Sequence, residues 1–180
     1  MPACPLATVI YRFDDASRFP VFESHTTAKG SVTVQSACEK PSPLGGRGLG
    51  EGGDFVRIGY ERTEADETEL AVVLALPLVA VDGRPRQLLL DVLGDASGCH
   101  LRLEGMDAEG GISAFSFGAV AFQGWRTLRA DASKPVPPLQ FHRLRITAAP
   151  SFAALRLGLR SLSLTGPVRF VPPGLARSVS

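Results

Sequence analysis

The side chains with chemistry to offer fall mainly in the second half of the chain. Asp95 and Asp107 raise the question of glycoside hydrolysis, which needs one protonated acid and one carboxylate across the scissile bond. Both sit in turn sequences, Gly94-Asp95 and Asp107-Ala108-Glu109-Gly110, where an aspartate is expected to cap backbone N–H groups instead. Asp91 is the other carboxylate such a cleft would recruit. Ser97 lies in Ala96-Ser97-Gly98, without the GxSxG elbow or following helix of a nucleophilic serine. His25, His100 and His142 have no partner at catalytic or metal spacing and read as isolated core or surface residues.

Binding chemistry is better represented. Arg102 and Glu104 alternate with Leu101 and Leu103, and Arg143 and Arg145 alternate with Leu144 and Ile146. Planar guanidinium groups in such rows can hold sugar hydroxyls or a uronate bidentately, or simply solvate an outward face. Trp125, preceded by Gly124, can stack on a sugar ring or anchor a sandwich core. The candidate ligand-binding set is therefore Arg102, Glu104, Trp125, Arg143 and Arg145, and no complete catalytic constellation emerges.

Alternating strands must position these groups. Thr8–Phe13, Ser31–Gln35, Phe55–Tyr60, Leu70–Leu78, Leu88–Leu93 and Leu101–Glu104 have strand character, as do the segments around Phe115 and Phe117, Gly124–Arg129 and Leu139–Thr147. In Leu139–Thr147 the alternation puts His142, Leu144 and Ile146 on one face and Phe141, Arg143 and Arg145 on the other. Turns are expected at Val81–Pro85, Gly94–Gly98 and Asp107–Gly111, and Asp131–Pro138 reads as a stiff connector. Glu61–Glu69 is acidic but reads as a solvated turn. Leu155, Leu157 and Leu159 hold odd positions, whereas Leu162 and Leu164 hold even ones, which predicts a β-bulge near Arg160-Ser161. Gly166 onward reads as a tail.

The segment 40–53, KPSPLGGRGLGEGG, is a low-complexity loop inserted between two strands. Gly48, Gly50 and Gly53 match GxGxxG, but a dinucleotide fingerprint needs a helix after it and Phe55–Tyr60 looks like a strand. Nine or ten short strands without an amphipathic helix make a single all-β domain, drawn as 1–170 with 171–180 outside it.

The 180 residues carry a net charge of +1, with 19 basic and 18 acidic side chains, so no field steers a nucleic acid. Cys4, Cys38 and Cys99 have no zinc spacing, although one disulfide is compatible with the count. No run of about 18 apolar residues marks a membrane span. The first residues lack the basic n-region and long apolar core of a signal peptide, which leaves the compartment undetermined.

Gly94-Asp95-Ala96-Ser97-Gly98, then Leu101-Arg102-Leu103, Asp107-Ala108-Glu109-Gly110 and Phe122-Gln123-Gly124-Trp125, resemble the galactose-binding-like jelly rolls found as carbohydrate-binding modules beside bacterial glycoside-active enzymes. The resemblance implies a non-catalytic accessory β-sandwich whose partner is a glycan or polysaccharide bound on a sandwich face. It also implies work outside the cell. Many such modules hold a structural calcium between first-strand carboxylates and an aspartate of the last strand. Asp14 and Asp15 supply the former, while Arg160-Ser161 stands where the latter is expected. Two other readings stay open: a structural jelly roll that has lost sugar binding and packs on a neighbouring domain, and a small β-sandwich hydrolase or lyase.

Overall fold

The computed structural model describes residues 7–21, 30–38, 53–63, 69–149 and 154–171. Among them, eleven strands follow in order: β1 (Ala7–Arg12), β2 (Gly30–Cys38), β3 (Asp54–Arg62), β4 (Leu70–Gly83), β5 (Gln87–Asp95), β6 (His100–Met106), β7 (Ile112–Ala119), β8 (Gln123–Asp131), β9 (Leu139–Ala148), β10 (Ala154–Thr165) and β11 (Val168–Val171). The first sheet runs β2-β3-β10-β5-β8, with β1 paired to β10, and the second runs β11-β4-β9-β6-β7. Every pairing between these strands is antiparallel. The fold is a β-sandwich jelly roll.

Period-2 alternation explains which side chains fill the space between the sheets. Val56, Ile58 and Tyr60 of β3, Leu88, Leu90 and Val92 of β5, and Leu155, Leu157 and Leu159 of β10 point inward. They meet Leu70, Val72 and Leu74 of β4, Leu101 and Leu103 of β6, and Leu144 and Ile146 of β9. Near β1, Tyr11, Phe13 and Phe19 stack on one another, with the Phe13 and Phe19 rings 4.6 Å apart. The Tyr11 hydroxyl donates to the Pro77 carbonyl at 2.6 Å, which satisfies a polar group in the core. Burial raises its pKa well above the ordinary tyrosine value.

The bulge expected in β10 is present. Leu159 pairs with Val92 but Leu162 pairs with Leu90, so β10 spends one residue more than β5 across that interval. A second bulge was not anticipated. Glu104 pairs with Arg143 and Gly105 with Phe141, which makes His142 the extra residue of β9. Phe141 therefore joins Leu144 and Ile146 in the core instead of lying on the face of Arg143 and Arg145.

β2 and β3 pair without a break from Gly30 with Arg62 to Cys38 with Asp54, so the strands flanking the glycine-rich loop are in register. Most of that loop, including Gly48 and Gly50, lies outside the described residues, as do His25, Cys4 and the middle of the acidic turn. Two boundaries are corrected. β4 continues through Val81-Asp82-Gly83, where a turn was expected, because Val81 belongs to the core. The chain after Gly166 is not yet a tail, since Val168–Val171 pairs with Ala80–Gly83. Arg169 Nη2 meets Asp82 Oδ2 at 2.8 Å and holds the Asp82 carboxyl below its usual range.

The alternation in β10 yields a paired expectation. Leu157→Ala, at a buried position, should cost about 2–5 kcal/mol, whereas its exposed neighbour Arg156→Ala should stay within about 0.5 kcal/mol. Urea unfolding of both variants measures this, and equal costs would refute the assigned parity.

Candidate functional site

The outer face of the first sheet is built from side chains of opposite parity to the core. One row crosses it as Gln35, Arg57, Gly158, Leu93 and Trp125, from β2 to β8. Beside it, Phe55 of β3, Arg160 and Ser161 of the β10 bulge, Asp91 of β5 and Thr127 of β8 form a second. Phe55 and Trp125 stand three strands apart, or about 14 Å between backbones at 4.7–4.9 Å per strand. Their rings nevertheless meet edge to face with centroids 5.3 Å apart.

Gly158 makes that approach possible. A Cβ there would lie 2.8 Å from Leu93 Cβ and 3.0 Å from Phe55 Cδ2, so the missing side chain is the space into which the phenyl ring leans. Arg57 lies 5.6 Å from the Phe55 ring and Arg160 3.9 Å from the Trp125 ring, placing a guanidinium over each aromatic. Next to Trp125, Thr127 Oγ1 donates to Asp91 Oδ1 at 2.6 Å and Ser161 Oγ donates to Asp91 Oδ2 at 2.9 Å. The carboxylate is thereby fixed in orientation.

A shallow hollow of about 440 Å³ is lined by Asp91, Trp125, Arg126, Thr127 and Arg160. A second, of about 320 Å³, continues along the same face over Thr33, Gln35, Arg57, Glu61 and Arg156. Half-buried indole, oriented carboxylate, hydroxyls and guanidiniums together present an apolar surface bordered by donors and acceptors. Of the predicted ligand set this face holds only Trp125, which lies outside the inter-sheet core. Phe55, Thr127 and Arg160 were missed as site residues, with only the parity switch at Arg160-Ser161 as a signal, and Asp91 was named as a carboxylate of a hydrolytic cleft but not as a ligand-binding group.

Arg102, Glu104, Arg143 and Arg145 come together on the opposite side of the molecule, on the outer face of the second sheet. Glu104 is nearly buried, with its side chain 6% exposed. Arg143 Nε lies 2.7 Å from its Oε2, and Arg145 Nε and Arg102 Nε lie 3.2 and 3.7 Å from its Oε1. The five predicted residues therefore divide between two faces.

The turn carboxylates do what their sequences indicated. Asp107 Oδ1 accepts from the backbone of Glu109 and Gly111 at 3.0 and 2.9 Å. Asp95 accepts from the backbone N–H of Ser97 and, across to β10, from that of Arg156. Cys99 is buried, which pushes its thiol up to about 11. Asp14 pairs with Arg18 at 3.7 Å, and Asp15 Oδ1 accepts from the hydroxyl and backbone of Ser17, which lowers its pKa. Asp14 faces a hollow of about 390 Å³ shared with Asp54, Arg12 and Arg160. Two guanidiniums do not suit a divalent cation, and among the described residues no three His, Cys, Asp or Glu groups gather to hold a metal. Asp14 and Asp15 as arranged do not fit the calcium pair implied by the resemblance.

Two measurements probe these faces. Trp125 is the single tryptophan, so emission excited at 295 nm reports the first face alone. Gly158→Ala should displace Phe55 and shift that emission, and an unchanged spectrum would show that the ring does not depend on the gap. His142, beside Arg143 and Glu104, has a pKa lowered from 6.5 by partial burial first and by Arg143 second, with Glu104 opposing. The unfolded imidazole then protonates before the folded one. Stability should fall as pH drops below 6.5, and that part of the loss should vanish in His142→Gln. Urea midpoints from pH 7.5 to 5 test this, and identical pH profiles would overturn it.

No protein-family model matches the chain, and no curated protein matches it by sequence. Solved structures do match by fold. The family 11 carbohydrate-binding module of the cellulosomal cellulase Lic26A-Cel5E of Clostridium thermocellum aligns with a TM-score of 0.53 at 12% identity, over 91% of this chain and 96% of that one. The solution structure of CtCBM11 aligns at 0.56 and 11% identity, over 92% and 98%. A structure described in terms of promiscuous specificity among carbohydrate-binding modules of the β-sandwich superfamily aligns at 0.54 and 9% identity, over 88% and 62%. The likeness is one of fold: this chain has the β-sandwich jelly roll of carbohydrate-binding modules.

Proposed function

We propose that the chain is a non-catalytic glycan-binding module whose binding face is the outer surface of the first sheet, around Trp125. The observation carrying this reading is the convergence of Trp125 with Asp91, Thr127 and Arg160 in one hollow and the presence of Arg57 in its neighbour, with the buried Phe55 backing the indole edge to face. A pyranose presents C–H groups on its faces and hydroxyls at its edge. An indole can cover the former while an oriented carboxylate and a guanidinium bond the latter. Asp91 is already held by two hydroxyls, so little side-chain order remains to be imposed on binding. The fold shared with carbohydrate-binding modules supports the same reading.

The hydrolase alternative loses ground because Asp95 and Asp107 are engaged in backbone capping. Work outside the cell and attachment to a glycoside-active partner belong to this proposal as well.

Titration of the full chain with a panel of neutral polysaccharides, followed by Trp125 emission and calorimetry, tests it. Asp91→Ala and Trp125→Ala should each weaken binding tenfold or more with circular dichroism unchanged, and Trp125→Phe should retain part of the affinity. Binding that withstands both alanine variants, or no binding across the panel, would refute the assignment.

A further inference from the structure

The charged cluster on the second sheet has a geometry that solvation alone does not explain. Ser116, Arg102, Arg145 and Val73 form one row from β7 to β4, and Ala114, Glu104, Arg143 and Ala75 form the next. Arg102 and Arg145 thus face each other directly across paired strands, where like charges repel. Glu104 beside them offsets one charge of three, leaving the cluster at +2.

All three arginines approach Glu104 through Nε, and among the described residues none of the three guanidiniums hydrogen-bonds to any other group. Their terminal nitrogens are the pair that grips a planar oxyanion in parallel. The buried Nε of Arg145 lies 3.2 Å from Glu104 Oε1 without hydrogen-bond alignment. On the β7 side the flanking Ala114 and Ser116 are small and exposed, whereas on the β4 side Ala75 is partly exposed and Val73 is buried, so the cluster opens toward β7.

We infer that Arg102, Arg143 and Arg145, held in place by Glu104, form a second binding site that takes a carboxylate group of an acidic polysaccharide. The oxyanion chemistry stands on the arginine geometry; only the choice of a polysaccharide as its carrier rests on the glycan reading above. A local charge of +2 suits uronates spaced by sugar rings. A duplex, with one charge per about 1.7 Å, would call for a far longer basic surface than a chain of net charge +1 supplies.

Affinity electrophoresis of the full chain in polygalacturonate, in neutral galactan and with an oligodeoxynucleotide of about 20 thymidines, at low and at high salt, tests the inference. Retardation by polygalacturonate at low salt is expected, with dissociation constants raised tenfold or more by Arg102→Gln and by Arg145→Gln and by added salt. Arg102 is half exposed, at 52%, so its variant keeps the test valid if Arg145→Gln fails to fold. Equal retardation of wild type and Arg102→Gln, or none at low salt, overturns the site, and tighter binding of the oligonucleotide overturns the choice of polysaccharide. Galactan binding without polygalacturonate binding sinks this inference alone. Polygalacturonate binding without any neutral ligand supports it while removing the reading of the preceding subsection.

Discussion

The one-residue bulge at Arg160-Ser161 is the constraint on which the sandwich and its face both depend. β10 is the strand with most neighbours in the first sheet, pairing with β3, β5 and β1. A regular strand carrying its leucines at 155, 157, 159, 162 and 164 would expose the last two. The extra residue restores them, and Leu162 and Leu164 are buried. Two consecutive polar side chains are turned outward as the geometric consequence. Arg160 lies over Trp125 and Ser161 donates to Asp91, so the device that closes the core also furnishes the outer face.

The strands and the β10 bulge were legible because period and parity are local properties of the chain. The β9 bulge was not, since Phe141, His142, Arg143 and Leu144 alternate plausibly either way and only pairing with Gly105 selects one. β11 escaped for a similar reason: Val168–Val171 is short, and only the long β4 beside it supplies its hydrogen bonds. At the site, Trp125 could be named from its residue type. Its surroundings could not, because Phe55 reaches it across two intervening strands through the gap at Gly158. A glycine in a strand announces close approach but not what approaches.

The charged residues show a different limit. Parity correctly set Arg102, Glu104, Arg143 and Arg145 opposite their leucine neighbours, and their pairing follows from β6 lying beside β9. Parity says nothing about which sheet a strand joins. Trp125 of β8 went to the other sheet, so a set of five became two surfaces separated by the thickness of a core, about 10 Å between sheets.

Stability is a poor explanation for the Glu104 cluster. A nearly buried carboxylate carries a desolvation cost that its pairings offset only in part, and apolar replacement of such clusters is often neutral or stabilising. The same two rows already contain Val73, Ala75 and Ala114, so apolar side chains are accommodated on this face. A carboxylate that gathers three guanidiniums by their Nε atoms does what an apolar residue cannot: it draws their Nε ends toward one point while leaving a surplus of positive charge. Orientation and residual charge are both requirements of an anion receptor, and neither is needed to hold two strands together.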